Sequence, residues 1–155
     1  MADSVREGIM KHMQASLEAI TVANGYTSTL IVVERVLQRG QSSQPPMAYV
    51  IEGDDDVIAE APLGLLSRQL QVGVVLVVQQ DEDSDARSAS EVMNSLIADV
   101  QKKLQEDERR GGLAVNTVET GVSAVQIEEG QPVLSATVAY RIHYRHSRLD
   151  PTLVG

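Results

Sequence analysis

Residues 68–80, RQLQVGVVLVVQQ, decide the fold, because their side chains alternate in character along the chain. Successive side chains of a β-strand point to opposite faces of a sheet, so one face of this segment is apolar and the other is mixed. The apolar face carries Leu70, Val72, Val74, Leu76 and Val78. The mixed face carries Gln71, Gly73, Val75, Val77 and Gln79. The pattern predicts a central strand whose second face is partly exposed or meets another subunit, rather than carrying a second layer of helices.

Two amphipathic helices are predicted on either side of this strand in the sequence. Residues 4–24 begin with Ser4 and Glu7 spaced as a capping box, and residues 88–107 begin in the same way with Ser88 and Glu91. Each segment repeats its apolar residues three and four positions apart, which is the spacing of one helix face. We expect both apolar faces to pack on one face of the sheet.

Further strands are predicted at residues 29–37, 47–53, 113–120, 122–127 and 132–146. Residues 57–64 are predicted as a short, broken strand or bend, because Pro62 cannot donate to a ladder, and residues 39–46 as a long polar hairpin loop. The fold class is therefore α/β in the α+β sense, a single domain over residues 1–155. It has a mainly antiparallel sheet of about five to six strands with the two helices on one face. Residues 147–155 are predicted as an extended C-terminal arm, available to a neighbouring subunit.

Composition excludes several classes of function. The chain of 155 residues has no Cys, which excludes disulfides, thiolate metal sites and a Cys nucleophile. A net charge of -9 and the absence of Trp and Phe disfavour general nucleic-acid binding. Charges interrupt the apolar residues at the N-terminus, so we expect no signal peptide, no membrane span and a soluble protein made in the cytoplasm.

The sequence does not contain the catalytic, nucleotide-binding or metal-binding motifs that we searched for. Neither GxxxxGK[ST] nor GxGxxG occurs. His143 and His146 are three residues apart on a predicted strand, so their side chains face opposite sides and do not share a metal. Asp81, Asp83 and Asp85 begin like a calcium loop, but its sixth and twelfth positions lack the required Gly and Glu. We therefore expect no metal, no cofactor and no catalytic residues.

Charged and polar side chains form three groups on this acidic protein. The last predicted strand carries a basic stripe on the face opposite its apolar side chains, made of Arg141, His143 and Arg145. Two predicted acidic turns carry Asp54, Asp55, Asp56, Asp81, Glu82, Asp83 and Asp85. The polar loop carries Arg39, Gln41, Ser42, Ser43 and Gln44. Two interpretations are about even: the charged surfaces of different copies meet head to tail in a ring, or the arginines pair with acids on an adjacent strand.

The order of these elements and the character of their sequences resemble those of a known protein family. The first helix ends at NGY (residues 24–26), a polar loop splits the next strand pair, and the hydrophobic central strand follows. The second helix has the form SLIADVQKKLQED (residues 95–107) before a Gly-Gly turn, and the closing strand ends in YRIHYRH (residues 140–146). Over residues 3–150 the chain resembles the tail terminator, or tail completion, proteins of long-tailed bacteriophages.

The resemblance implies a structural virion protein in the tail or neck, assembled in the host bacterial cytoplasm. Such a subunit forms a hexameric ring on the head-proximal end of the tail tube, ends tube polymerisation and provides the docking surface for the head-side connector. Its partners would be further copies of itself, the tail tube protein and a head-side neck or stopper protein, with no membrane involved. Viral DNA would pass through without specific binding.

Within that family picture, the sequence offers candidate surfaces and two alternative functions. The polar loop and the basic stripe are candidates for subunit or tube contacts, and the acidic turns are candidates for the lumen or rim of the ring. The first alternative is another neck or head-tail joining protein of the same virion. The second, which we favour least, is a small α/β module that binds a ligand on its sheet face.

Overall fold

The structure is a computed structural model that describes residues 2–35, 45–79, 88–127 and 133–155. Its two helices are α1 (Val5–Glu18) and α2 (Ala89–Glu106). The strands in chain order are β1 (Val32–Glu34), β2 (Met47–Ala61), β3 (Leu65–Gln79), β4 (Ala114–Val122), β5 (Gln126–Ile127) and β6 (Val133–Ser147). Short 3-10 turns lie at Val22–Asn24 and Pro62–Gly64.

The strands form one sheet in the order β1-β2-β3-β6-β4, with β5 beside β6. All pairs are antiparallel except β1 with β2, which is parallel. The strands β2, β3 and β6, each of 15 residues, make up the centre of the sheet. The predicted α+β fold class, with its mainly antiparallel sheet and single domain, is confirmed.

The helices cover one face of the sheet, which we call the inner face; the opposite one is the outer face. On β3 the predicted alternation is confirmed, because Leu70 to Val78 are buried at every second position while Gln71 and Gln79 are exposed. Buried side chains of α1 and α2, including Ile9, Met13, Leu96 and Val100, belong to the same core cluster as the inner face. Neither described helix has the length and apolar composition needed to span a bilayer.

Caps and one buried carboxylate hold the helices in place. Ser4 and Ser88 are the N-caps of the two helices, and each side-chain hydroxyl accepts a hydrogen bond from the backbone N–H three residues later. Asp99 of α2 is 6% exposed and accepts from Thr27 N (3.0 Å), Thr27 Oγ1 (2.9 Å) and Ser28 N (3.0 Å). Asp99 therefore holds the segment after α1 against α2, because three donors of that segment bind one carboxylate of α2.

The predicted acidic turn at residues 54–56 is wrong, and so is the separate broken strand at residues 57–64. Residues 54–61 lie in β2, which runs from Met47 to Ala61. Register shifts between Glu52 and Asp55 and between Val57 and Ala59 mark bulges that absorb extra residues. The break that we expected at Pro62 is the turn between β2 and β3, since Pro62 begins the 3-10 turn there.

The start of the chain also departs from the prediction. Helix α1 ends at Glu18 rather than at residue 24, and a 3-10 turn follows that closes at Gly25, where φ is +89°. Strand β1 is limited to Val32–Glu34 within the described residues. Strands β1 and β2 run parallel, so they are not the two arms of the predicted hairpin, which joins antiparallel strands. Residues 39–44 of the predicted loop lie outside the described residues.

The C-terminal residues do not form the predicted extended arm. They fold back on their own chain, where Ser147 N donates to Leu153 O (2.9 Å) and a β-bridge joins His146 to Val154. Val5 N at the start of α1 donates to Pro151 O (2.9 Å). The sequence shows no pattern for this fold-back, which combines a local turn with backbone bonds to distant residues: Val5 N donates to Pro151 O, and Arg148 N donates to Gly64 O.

Candidate assembly surface

The outer face carries the predicted basic stripe on β6. Arg141 and Arg145 are exposed and His143 is half-buried, while the alternating residues from Leu134 to Tyr144 are buried on the inner face. The period-2 prediction for this strand is therefore confirmed. On the neighbouring strand β3, the residues opposite the stripe are uncharged: Gln71 faces Arg141, and Gln69 faces His143.

The two stripe arginines do not pair with acids of their own subunit in the described part of the chain. Arg145 Nε donates to Ser67 Oγ (3.3 Å), and no carboxylate among the described residues lies within ion-pair distance of Arg141 or Arg145. Burial lowers the pKa of His143, and the Arg145 guanidinium lowers it further, so this side chain favours its neutral form. The predicted cross-strand pairing with an adjacent acid is not what this structure contains.

Asp55, which was predicted to lie at the lumen or rim of a ring, is a buried carboxylate with three side-chain donors. Its side chain is 6% exposed, and it accepts from Arg6 Nη1 (3.2 Å), Arg68 Nε (3.2 Å) and the Tyr144 hydroxyl (2.7 Å). Burial and the hydrogen bond from its hydroxyl to Asp55 raise the pKa of the Tyr144 phenol. We call Asp55, Arg6, Arg68 and Tyr144 the Asp55 cluster. The predicted lumen or rim role is therefore wrong for Asp55, which joins α1, β2, β3 and β6.

Two glutamates next to this cluster, Glu7 and Glu52, also accept hydrogen bonds from arginines. Arg6 Nε donates to Glu52 (3.2 Å), and Arg35 donates to both Glu7 (2.6 Å) and Glu52 (3.4 Å). The hydrogen bond from Arg35 lowers the pKa of Glu7. By contrast, Asp54 and Asp56 are exposed and have no ion-pair partner in the described residues. For these two acids the lumen or rim role stays a prediction.

Several predicted site residues lie outside the described residues. These are Arg39, Gln41, Ser42, Ser43, Gln44, Asp81, Glu82, Asp83 and Asp85. The described part of the chain contains no group of three or more His, Asp or Glu side chains placed to hold a metal ion.

One feature of the sequence indicates the Asp55 cluster, although the cluster was not predicted. Arg68 shares the alternation of Leu70 and Val72, so the period-2 pattern already places its side chain on the inner face. A cation on a buried face needs an anion nearby, and Asp55 supplies it. Nothing local in the sequence indicates that Arg6, in a helix 49 residues before Asp55, would meet the same carboxylate.

The outer face also contains an open concavity of about 390 Å³. It lies where Gly73 of β3 stands opposite Ala139 of β6, so that small side chains leave space. Its polar lining includes Gln69, Gln71, Thr120 and Arg141. The concavity therefore belongs to the same surface as the basic stripe.

Comparisons with known proteins add one finding. No protein-family model matches the chain, and no curated protein matches it. A search of solved structures found similarity to a chain described as "Virion of native gene transfer agent (GTA) particle", with 15% identity, 90% of each chain covered and a TM-score of 0.49. At this identity and TM-score, the similarity carries no argument about the fold or the function of this protein.

Proposed function

We propose that this chain is a structural virion protein that forms a ring on the head-proximal end of a phage-type tail tube. The ring, hexameric as the family resemblance implies, ends tube polymerisation and provides the docking surface for the head-side connector. The observation that supports this best is the outer face: no described helix covers it, and it carries two exposed arginines that have no acid partner among the described residues. A surface of this kind suits a protein partner.

The dimensions of the outer face suit a protein interface. Each long strand has 15 residues and therefore spans about 50 Å, and three adjacent strands are about 15 Å wide. The resulting area of roughly 750 Å² is close to the ~800 Å² that each partner contributes to a standard protein interface. The proposed mechanism is burial of complementary surfaces and steric blocking of the tube end, with no bond made or broken. Viral DNA would pass through the ring without specific contacts.

The test combines charge reversal with a tube-growth assay. We expect the wild-type protein to stop polymerisation of the cognate tail tube protein, followed by light scattering. Arg141→Glu together with Arg145→Glu should abolish this arrest without unfolding the subunit, because both side chains are exposed. The matched control is Lys11→Glu with Lys102→Glu, which changes the net charge equally but alters the helices. Arrest by the first variant as strong as by the control would overturn the proposal.

Two alternatives use the same surface and can be separated by their partners. Another neck or head-tail joining protein would bind the head-side connector and leave tube growth unchanged. A ligand-binding module is favoured by one observation, the 390 Å³ concavity, which falls within the range of small-molecule pockets. A bound ligand there would raise the melting temperature of the protein, whereas the terminator proposal expects tube ends to do so.

A further inference from the structure

The sheet has two open edges in the part of the chain that the structure describes. Among the described residues, β1 pairs with β2 at Met47–Tyr49, and no strand pairs with that edge of β2 from residue 50 to residue 61; we call this edge the β2 free edge. At the other end of the sheet, β4 pairs with β6 on one side and has an open second side, the β4 edge. Long unpaired edges are uncommon in monomeric proteins because they invite pairing with another chain.

Both edges expose branched apolar side chains. The exposed large apolar residues of the β2 free edge are Ile51, Val57 and Ile58. Those of the β4 edge are Val115, Val118 and Val122. All six side chains are 39–51% exposed, so each edge has apolar area available for burial. Bulges interrupt the register of both strands and limit backbone pairing to short runs, which favours one register over many.

The charges near the two edges are opposite. The β2 free edge carries the exposed acids Asp54 and Asp56, which have no ion-pair partner among the described residues. One strand in from the β4 edge, Arg141 stands opposite Val118. A strand added beyond β4 would lie about 10 Å from β6, since neighbouring strands are ~4.8 Å apart. An arginine and an aspartate side chain can together bridge that distance, so an acidic strand suits this position.

The strand directions fit the same arrangement. Since neighbouring long strands are antiparallel, β2 and β6 run in one direction and β3 and β4 in the other. A second copy placed beside the first by rotation about an axis along the strands keeps these directions. Its β2 would therefore run antiparallel to β4 of the first copy and continue the alternation of the sheet.

From these features we propose that the β2 free edge of one copy docks against the β4 edge of the next copy. The contact is head to tail, because two different edges meet, and such contacts close into a ring when the rotation allows. Val57 and Ile58 pack near Val115 and Val118, and the acids of β2 approach the basic stripe. The inference rests on the proposed function, since it names the surfaces through which neighbouring ring subunits meet.

Cysteine cross-linking tests which edges meet, because the chain has no Cys of its own. Ile58→Cys and Val118→Cys are made as two separate variants, mixed and oxidised. Adjacent strands bring Cα atoms about 4.5–5.5 Å apart, within the range of a disulfide. We expect a cross-linked dimer in the mixture and none in either variant alone. The control is Val22→Cys mixed with Val118→Cys, since Val22 is exposed on a turn that belongs to neither edge.

A charge swap provides the second readout. Asp54→Lys with Asp56→Lys should weaken self-association about tenfold, as should Arg141→Glu with Arg145→Glu. All four changes in one chain keep the net charge of the wild type, and they should restore association if the acidic edge meets the basic stripe. Circular dichroism checks that each variant is folded. Failure of the four-fold variant to recover any association would overturn the inference.

The outcomes separate this inference from the proposed function. Rings or capped tubes without the mixed cross-link would overturn the edge contact and leave the proposed function standing. Cross-links within a single variant, as strong as in the mixture, would indicate a two-fold contact and also overturn it. A mixed cross-link in a protein that does not stop tube growth would support the edge contact and overturn the proposed function. No cross-link and no assembly, with or without tubes, would overturn both.

Discussion

Asp55→Ala should destabilise the protein strongly although Asp55 lies in an acidic run on a largely exposed strand. The substitution removes the acceptor of three donors and leaves the buried Tyr144 hydroxyl without a partner. An unsatisfied buried hydroxyl costs about 1–3 kcal/mol. Arg6 and Arg68 are partly exposed and regain water, so we assign about 0.5 kcal/mol to each lost ion pair. The expected loss of unfolding free energy is about 3 kcal/mol.

The assay is urea unfolding followed by circular dichroism, with thermal melts as a second measure. A loss of about 3 kcal/mol lowers the melting temperature of a chain of this size by roughly 6–12 °C. The matched control is Asp56→Ala on the same strand, which should change the unfolding free energy by less than about 0.5 kcal/mol. Asp55→Asn should fall between the two, because its amide oxygen still accepts from Tyr144 while the charge is lost.

A double-mutant cycle isolates the contact between Asp55 and Tyr144. Tyr144→Phe removes the hydroxyl, so Asp55→Ala made in that background leaves no orphaned donor there and should cost less than in the wild type. The difference should exceed about 0.5 kcal/mol, as for residues in direct contact. Equal costs for Asp55→Ala and Asp56→Ala would refute the assignment of Asp55 as a structural carboxylate and return it to the group of surface acids.

Two further predictions concern the helices and the pH dependence of stability. Asp99→Ala should lower the unfolding free energy by about 2–4 kcal/mol, since two backbone amides and a hydroxyl lose their acceptor. Urea midpoints measure this loss, and a smaller loss would mean that water takes the place of the carboxylate as acceptor. Burial lowers the pKa values of His12 and His143 from 6.5, so the folded state binds fewer protons than the unfolded state and stability should fall as the pH drops below 6.5. The hydrogen bond from Arg35 lowers the pKa of Glu7 from 4.5, which adds a second loss below pH 4.5. Urea midpoints from pH 7 to pH 4 test this, and a His12→Gln, His143→Gln variant that kept the full first loss would contradict it.

The parts of the fold that were predictable are those with a local repeat. The alternation along β3 and β6 and the helical spacing of α2 predicted which side chains are buried, because a buried face must be apolar at the period of its element. The N-caps Ser4 and Ser88 were predictable for the same reason, since the capping hydroxyl and the backbone N–H that donates to it are three residues apart.

The parts that failed depend on distant residues. Consecutive aspartates are unfavourable in strands, so the run at residues 54–56 predicted a turn; it lies in β2, where Asp55 is held by arginines 49 and 13 residues away. The parallel pairing of β1 with β2, and the backbone bonds that join the C-terminal residues to Val5 and Gly64, likewise connect segments that are apart in the sequence. Within the candidate assembly surface, the alternation of residues along β6 predicted the basic stripe. It did not predict that the Asp55 side chain would be buried and would not belong to the acidic surface.

The most direct test of the proposed function is electron microscopy of tail tubes grown with and without this protein. Tail tube protein is polymerised alone or with an excess of purified chain, and tube lengths and end structures are compared. The proposal predicts shorter tubes, each with a ring of extra density at one end and an open centre. Unchanged tube lengths with bare ends at both sides would contradict it.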